Sequence, residues 1–178
     1  MPPVNVARKQ QMFQIWIRTL PNSQAQFALR AAIRQLVELI EKGMNAAEFE
    51  LTRAFLSKYY LHFAETTQMR LGYAVDDVFY GISGEGHLAR FSEMMDSISL
   101  DEVNTALKKY FQHENMIITI ITGEAGLLAE ALRKDRPSPV KYGAPKPVDV
   151  LEEDTLIATY PLKIRSVRIF PVEEIFEN

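Results

Sequence analysis

The sequence predicts an α+β fold, and three observations carry that expectation. Near the start, "FQIWIRT" (residues 13–19) is rich in β-branched and aromatic residues and is stopped by Pro21 and Asn22, the punctuation of a strand. Much later, "MIITIIT" (residues 116–122) is almost continuously apolar, as in a strand buried on both faces. Between and after these stretches, apolar residues recur at helical spacing.

The helices can be placed in order. From about residue 23 to 42, Leu29, Ile33, Leu36, Val37 and Ile40 form one stripe, and Gly43 is the stop. Asn45, followed three residues later by Glu48, has the form of an N-cap with its capping-box glutamate. The helix it opens places Phe49, Leu56, Tyr60 and Phe63 on one face. The next stripe comprises Leu71, Val75, Val78, Phe79 and Ile82, and it ends in the glycine-rich "GISGEG" (residues 81–86). A shorter helix turns Leu88, Phe91 and Met95 inward. Ser99 and Glu102 form a second capping box, opening a helix with Val103, Leu107 and Tyr110 inward. Gly123 then leads from the second strand into a helix bearing Leu127, Leu128, Ala131 and Leu132.

After Arg133 the character changes. Pro137, Pro139, Pro145 and Pro147 mark residues 134–149 as an extended, exposed linker. The following extension, residues 150–178, has strand-like apolar spacing around Ile157, Ile164, Val167 and Ile169. Two widely separated strands and a tail make a thin sheet beside the ~5–6 strands of an ordinary one. Strands preceding Met1 are therefore expected, and the chain reads as the latter part of a larger protein.

Composition narrows the function classes. With 178 residues, 47% hydrophobic and 24% charged, the chain can bury one sizeable core. A formal net charge of −3, with lysines and arginines dispersed, gives no electrostatic reason to expect nucleic acid. No apolar run approaches the ~18 residues of a membrane span. The absence of cysteine removes disulfides, thiolate metal sites and cysteine nucleophiles together.

Several motifs invite a chemical reading. "HFAET" (residues 62–66) resembles the zinc signature H-x-x-E-H with Thr66 in place of the second histidine. A catalytic zinc needs about three protein ligands and an open position, and Thr66 is no substitute for imidazole. His62 and Glu65 therefore read as ordinary helix residues, and His87 and His113 lie at no ligand spacing. Asp76 and Asp77 are adjacent, so on a helix they point about 100° apart and do not converge; they read as a solvated face. The loop 81–86 has no preceding strand and no following Lys-Ser/Thr, so it is no phosphate cradle. In "RLGY" (residues 70–73), Arg70 and Tyr73 are given no ligand-contacting role, and Tyr73 and Tyr80 read as core or rim aromatics. No catalytic, cofactor-binding or metal-ligating residue is assigned.

The ordered series "FQIWIRT", "LIEKG", "MNAAEFELTRAFLSKYYL", "RLGYAVDDVFYG", "ISLDEVNTALKKYF" and "NMIITIITG" resembles the carboxy-terminal domain of pitrilysin/insulinase family zinc metallopeptidases. No single motif is specific; the order is. The likeness covers roughly residues 12 to 132, and "YPLKIRSVRIFPVEEIFEN" is a weaker match to the close of bacterial members. The resemblance implies helices packed on one side of a mostly antiparallel sheet, in an insulinase/processing-peptidase-like domain missing its first strands. It implies an inactive peptidase-like domain over residues 1–133, with the linker and extension after it. Such a domain helps enclose and position a peptide for a zinc-bearing partner domain, in the same chain or another subunit. Zinc is then expected in the partner and not in this chain. By the same likeness the setting is the periplasm or cell envelope of a bacterium. A non-proteolytic structural subunit of a larger assembly is the alternative the sequence leaves open, with a helical adaptor unrelated to peptidases as a third.

Overall fold

The computed structural model describes residues 13–175, and every regular element among them is helical. Residues 1–12 and 176–178, the outer ends of the expected first domain and tail, lie outside the described residues. A short 3₁₀ turn, Asn22–Gln24, leads into α1 (Ala25–Lys42). Then come α2 (Ala46–Tyr59), a 3₁₀ turn at Tyr60–Ala64, α3 (Thr67–Phe79), α4 (Gly86–Ser97) and α5 (Leu100–Tyr110). The order closes with α6 (Ala125–Arg133), α7 (Val148–Thr159) and the single turn α8 (Val172–Ile175).

This overturns the α+β expectation: there is no antiparallel sheet among the described residues for helices to pack against. The stretches 13–19 and 116–122 keep their β-prone composition, but no backbone group in either bonds to another backbone group among the described residues. Strand propensity is a preference for a pleated, half-buried surface, so without a neighbouring ladder it builds nothing. Nor is the second stretch buried on both faces, since Ile117 is 95% and Ile121 98% exposed. The strand-like spacing at Ile157 falls instead within α7. Pro147 precedes that helix, Asp149 charges its first turn favourably, and Ile157 and Ala158 are its buried residues.

Backbone contacts divide the chain into two units. The first holds Phe13 and Lys42–Phe111, thus α2 to α5. Both capping boxes close here as the sequence predicts. Asn45 accepts from the Glu48 N–H while the Glu48 carboxylate accepts from the Asn45 N–H, and Ser99 and Glu102 do the same. The hydroxyl of Ser99 and its backbone N–H both donate to Glu102, holding that carboxyl below its usual range. A lowered carboxyl stabilises the fold above its ordinary titration range and loses that contribution as pH falls through the lowered value. Gly43 takes φ +74°, and a Cβ there would sit 2.6 Å from the Asn104 side-chain oxygen. That close approach lets Asn104 of α5 accept from the Met44 N–H at 2.8 Å and donate to the Met44 carbonyl at 3.1 Å.

α4 packs against both α2 and α3. The buried hydrophobic residues of this unit are Phe49, Tyr73, Met95 and Leu107, one from each of its four helices. The apolar stripe of α3 faces outward: Leu71, Val75, Val78 and Phe79 are all exposed, and the buried residues of that helix are Gly72 and Tyr73. Helical spacing shows that residues share a face, not which way it points.

The second unit holds Gln14–Glu41 and residues 112–175, with most of α1, and α6 to α8. Its core joins Leu29 and Ile33 of α1 to Leu132 of α6 and Leu162, with Val37, Met116, Leu128, Ile164 and Val167 packed around them. On the same face of α1, one turn from Ile33, sits Arg30, only 1% exposed. One guanidinium nitrogen donates to the Tyr160 carbonyl, and the other donates to Asp135 Oδ1 and the Arg136 carbonyl, both at 2.8 Å. Gln26, one turn earlier, donates to the same Arg136 carbonyl at 3.0 Å. Asp135 takes φ +45°, a left-handed conformation that Asp tolerates, and it ends α6 with its carboxylate beside Arg30. Replacing Arg30 with Met keeps the apolar stem, leaves the Tyr160 carbonyl and Asp135 Oδ1 without this donor, and leaves the Arg136 carbonyl to Gln26 alone. Arg30→Met is expected to destabilise this unit by about 2–4 kcal/mol, measured by urea unfolding.

Candidate functional site

The HFAET residues are committed locally. His62 lies in the 3₁₀ turn Tyr60–Ala64, and its Nδ1 pairs with the Glu65 carboxylate. Both side chains are more than half exposed. Thr66 is the N-cap of α3, its hydroxyl oxygen accepting from the Met69 N–H at 3.2 Å. With the carboxylate beside the imidazole and the hydroxyl turned to its own helix, these residues do not form a zinc cradle. No group of three or more metal-ligating side chains occurs among the described residues.

Arg70 is also occupied nearby, its Nε donating to the Ala64 carbonyl at 2.8 Å. This bond folds α3 back on the preceding 3₁₀ turn. Arg70, Tyr60, Leu61, Glu65 and Leu88 line a hollow of about 420 Å³ that opens to solvent. Tyr73 faces the interior instead; burial, with a smaller contribution from Asp76, pushes its hydroxyl above the usual tyrosine range. Arg70 and Tyr73 are therefore not a pair reaching toward one ligand.

One cluster escapes sequence reading. Asp77 is not part of a solvated face. Its Oδ1 accepts from the His87 backbone N–H at 3.0 Å and pairs with the His87 Nδ1. The two residues are ten apart, at the end of α3 and the start of α4. Gly86 makes the approach feasible: its φ is +84°, and a Cβ there would lie 2.2 Å from Asp77 Oδ2. Rings of Tyr73 and Tyr80 stand 6.3 Å from the imidazole. The N-cap of α4, Glu85, makes no side-chain cap bond, so Asp77 supplies a carboxylate to the start of that helix. The arrangement orients an imidazole, and its evident work is to fasten α3 to α4. The sequence signal was the Gly86 position within a loop whose three described glycines, Gly81, Gly84 and Gly86, all take positive φ.

The most conspicuous surface belongs to the two β-prone stretches. Trp16 is 84% exposed, Ile117 and Ile121 are almost fully exposed, and Ile15, Ile17, Ile118 and Ile120 are exposed beside them. The ends of the stretches meet, since the Thr122 hydroxyl donates to the Asn22 side-chain oxygen at 2.9 Å. Single exposed apolar side chains are ordinary on a protein surface; a contiguous run of them marks an interaction site.

No protein-family model, curated protein or solved structure matches the chain. No helix among the described residues is long and apolar enough to cross a membrane.

Two substitutions separate the histidine clasped between helices from the exposed one. Gly86→Ala forces a Cβ onto Asp77 and strains a left-handed backbone, and is expected to cost more than about 1 kcal/mol. His62→Ala removes an exposed pair and is expected to change stability by less than about 0.5 kcal/mol. Thermal or urea unfolding of both variants provides the check.

Proposed function

We propose that this chain is a non-catalytic polypeptide-binding domain that holds a peptide for a zinc-bearing peptidase partner. The observation that carries the reading is the exposed apolar surface of Trp16, Ile117 and Ile121, on stretches that make no backbone-to-backbone bond among the described residues. Such a surface can bury apolar peptide side chains and fix their position, so that a partner's metal-bound water attacks at short range. The ordered sequence likeness over residues 12 to 132 supports the choice of a zinc peptidase as the partner. The reading does not depend on a sheet, and it places no zinc ligand in this chain.

A second reading has its own support. The all-helical backbone of the described residues favours a non-proteolytic adaptor or scaffold subunit, which would use the same apolar surface to hold an assembly together. The partner's sequence discriminates between the two. Cross-linking the full chain in its native host and sequencing its stoichiometric partner is expected to give a protein containing H-x-x-E-H. Adding the chain to that partner is expected to raise kcat/KM on an apolar peptide at least about tenfold, mostly through KM. A partner without the motif supports the scaffold instead.

A further inference from the structure

The geometry points to one occupant for the apolar stretches 14–20 and 116–121: an extended polypeptide strand from another chain, held by main-chain hydrogen bonds along backbone that pairs with no other backbone among the described residues. This deepens the polypeptide-binding reading above and rests on it.

Three observations select that occupant. The first is hydrogen-bonding valence. Neither stretch makes a backbone-to-backbone bond among the described residues, so each offers a row of N–H and C=O groups. An extended chain pairs with such a row, whereas a helix or an apolar lipid surface covers the side chains and leaves those groups without partners. The second is the absence of the devices that normally block an exposed backbone edge. Proteins protect such edges with lysines, prolines or inward charges. Across 14–20 and 116–121 the one charged residue is Arg18, and no proline occurs.

The third is area. Trp16, Ile117 and Ile121, with Ile15, Ile17, Ile118 and Ile120, leave uncovered an apolar surface on the order of the ~800 Å² that one partner contributes to a stable interface. The link between Thr122 and Asn22 holds the ends of the two stretches together, so one extended partner can meet both. Affinity in this mode comes from main-chain bonds, with alternate side chains of the bound strand set against the isoleucines.

Trp16 is the chain's one tryptophan, so its fluorescence reports directly on the surface. The test titrates the full chain with an eight-residue peptide of alternating valine and threonine. A second titration uses the same peptide N-methylated at every other amide, which deletes donors while keeping the side chains. Expected is a saturable blue shift of Trp16 emission, with the N-methylated peptide binding at least about tenfold more weakly. Ile117→Lys with Ile121→Lys should weaken binding by a similar factor, while Val148→Lys, an exposed change elsewhere, should leave it unchanged. Both isoleucines are almost wholly exposed, and equal unfolding midpoints for all variants verify that the fold is intact.

Equal binding of the two peptides would overturn the proposal, because apolar contact alone would then account for the capture. Absence of binding would overturn it too. So would self-association of the chain that Ile121→Lys abolishes and the peptide cannot displace, because a second copy would then be the occupant. Strand capture needs no zinc and no peptidase. A failed search for a peptidase partner is therefore a separate result, bearing on the function proposed above and not on this occupant.

Discussion

The second unit depends on one buried guanidinium. Arg30 sits on the apolar face of α1, one turn from Ile33, and it joins two chain segments: Asp135 with the Arg136 carbonyl, and the Tyr160 carbonyl. Those groups end α6 and receive the chain as it leaves α7. A lysine could donate to such acceptors, but not through the fixed, planar fork that lets one side chain serve several directions at once. Burying a charge is costly unless it is paired and hydrogen-bonded, and here the pairing fixes where the tail must pass. Leu162, just past that passage, then joins Leu29, Ile33 and Leu132 in the core.

The first unit is organised differently, through the starts of its helices. Two reciprocal capping boxes open α2 and α5, Thr66 caps α3, and Asp77 reaches across to the start of α4. Each helix therefore begins at a defined residue, with its first donors satisfied. Its buried residues are few and distributed among the helices, and apolar stripes on α2 and α3 remain outside: Leu51 and Phe55 on one, Leu71 and Val78 on the other.

Local features were legible in the sequence and long-range ones were not. The capping boxes at Asn45 and Ser99, the stop at Gly43 and the α1 stripe all depend on residues within a turn or two of each other. Arg30, by contrast, is one of many arginines in the sequence, and its partners lie more than a hundred residues away in the chain. The Asp77–His87 clasp was hidden for the same reason, with Gly86 as the only hint. The strands at 13–19 and 116–122 were misread because composition reports what a segment can pair as, while pairing needs a neighbour. As to the site, HFAET was set aside on ligand chemistry, and the structure adds the local bonds of Glu65 and Thr66. The apolar stretches were noticed in the sequence as strands, the second of them as an interior one, because periodicity does not tell a covered face from an uncovered one.

The central claim is that residues 14–20 and 116–121 are largely exposed and make no backbone-to-backbone bond among the described residues. Amide hydrogen exchange of the full chain alone, followed residue by residue by NMR, tests it most directly. The account predicts exchange in both stretches close to that of an unstructured peptide, with strong protection around Arg30 in α1. Strong protection of alternate amides in the two stretches would contradict it, since the backbone there would already be paired.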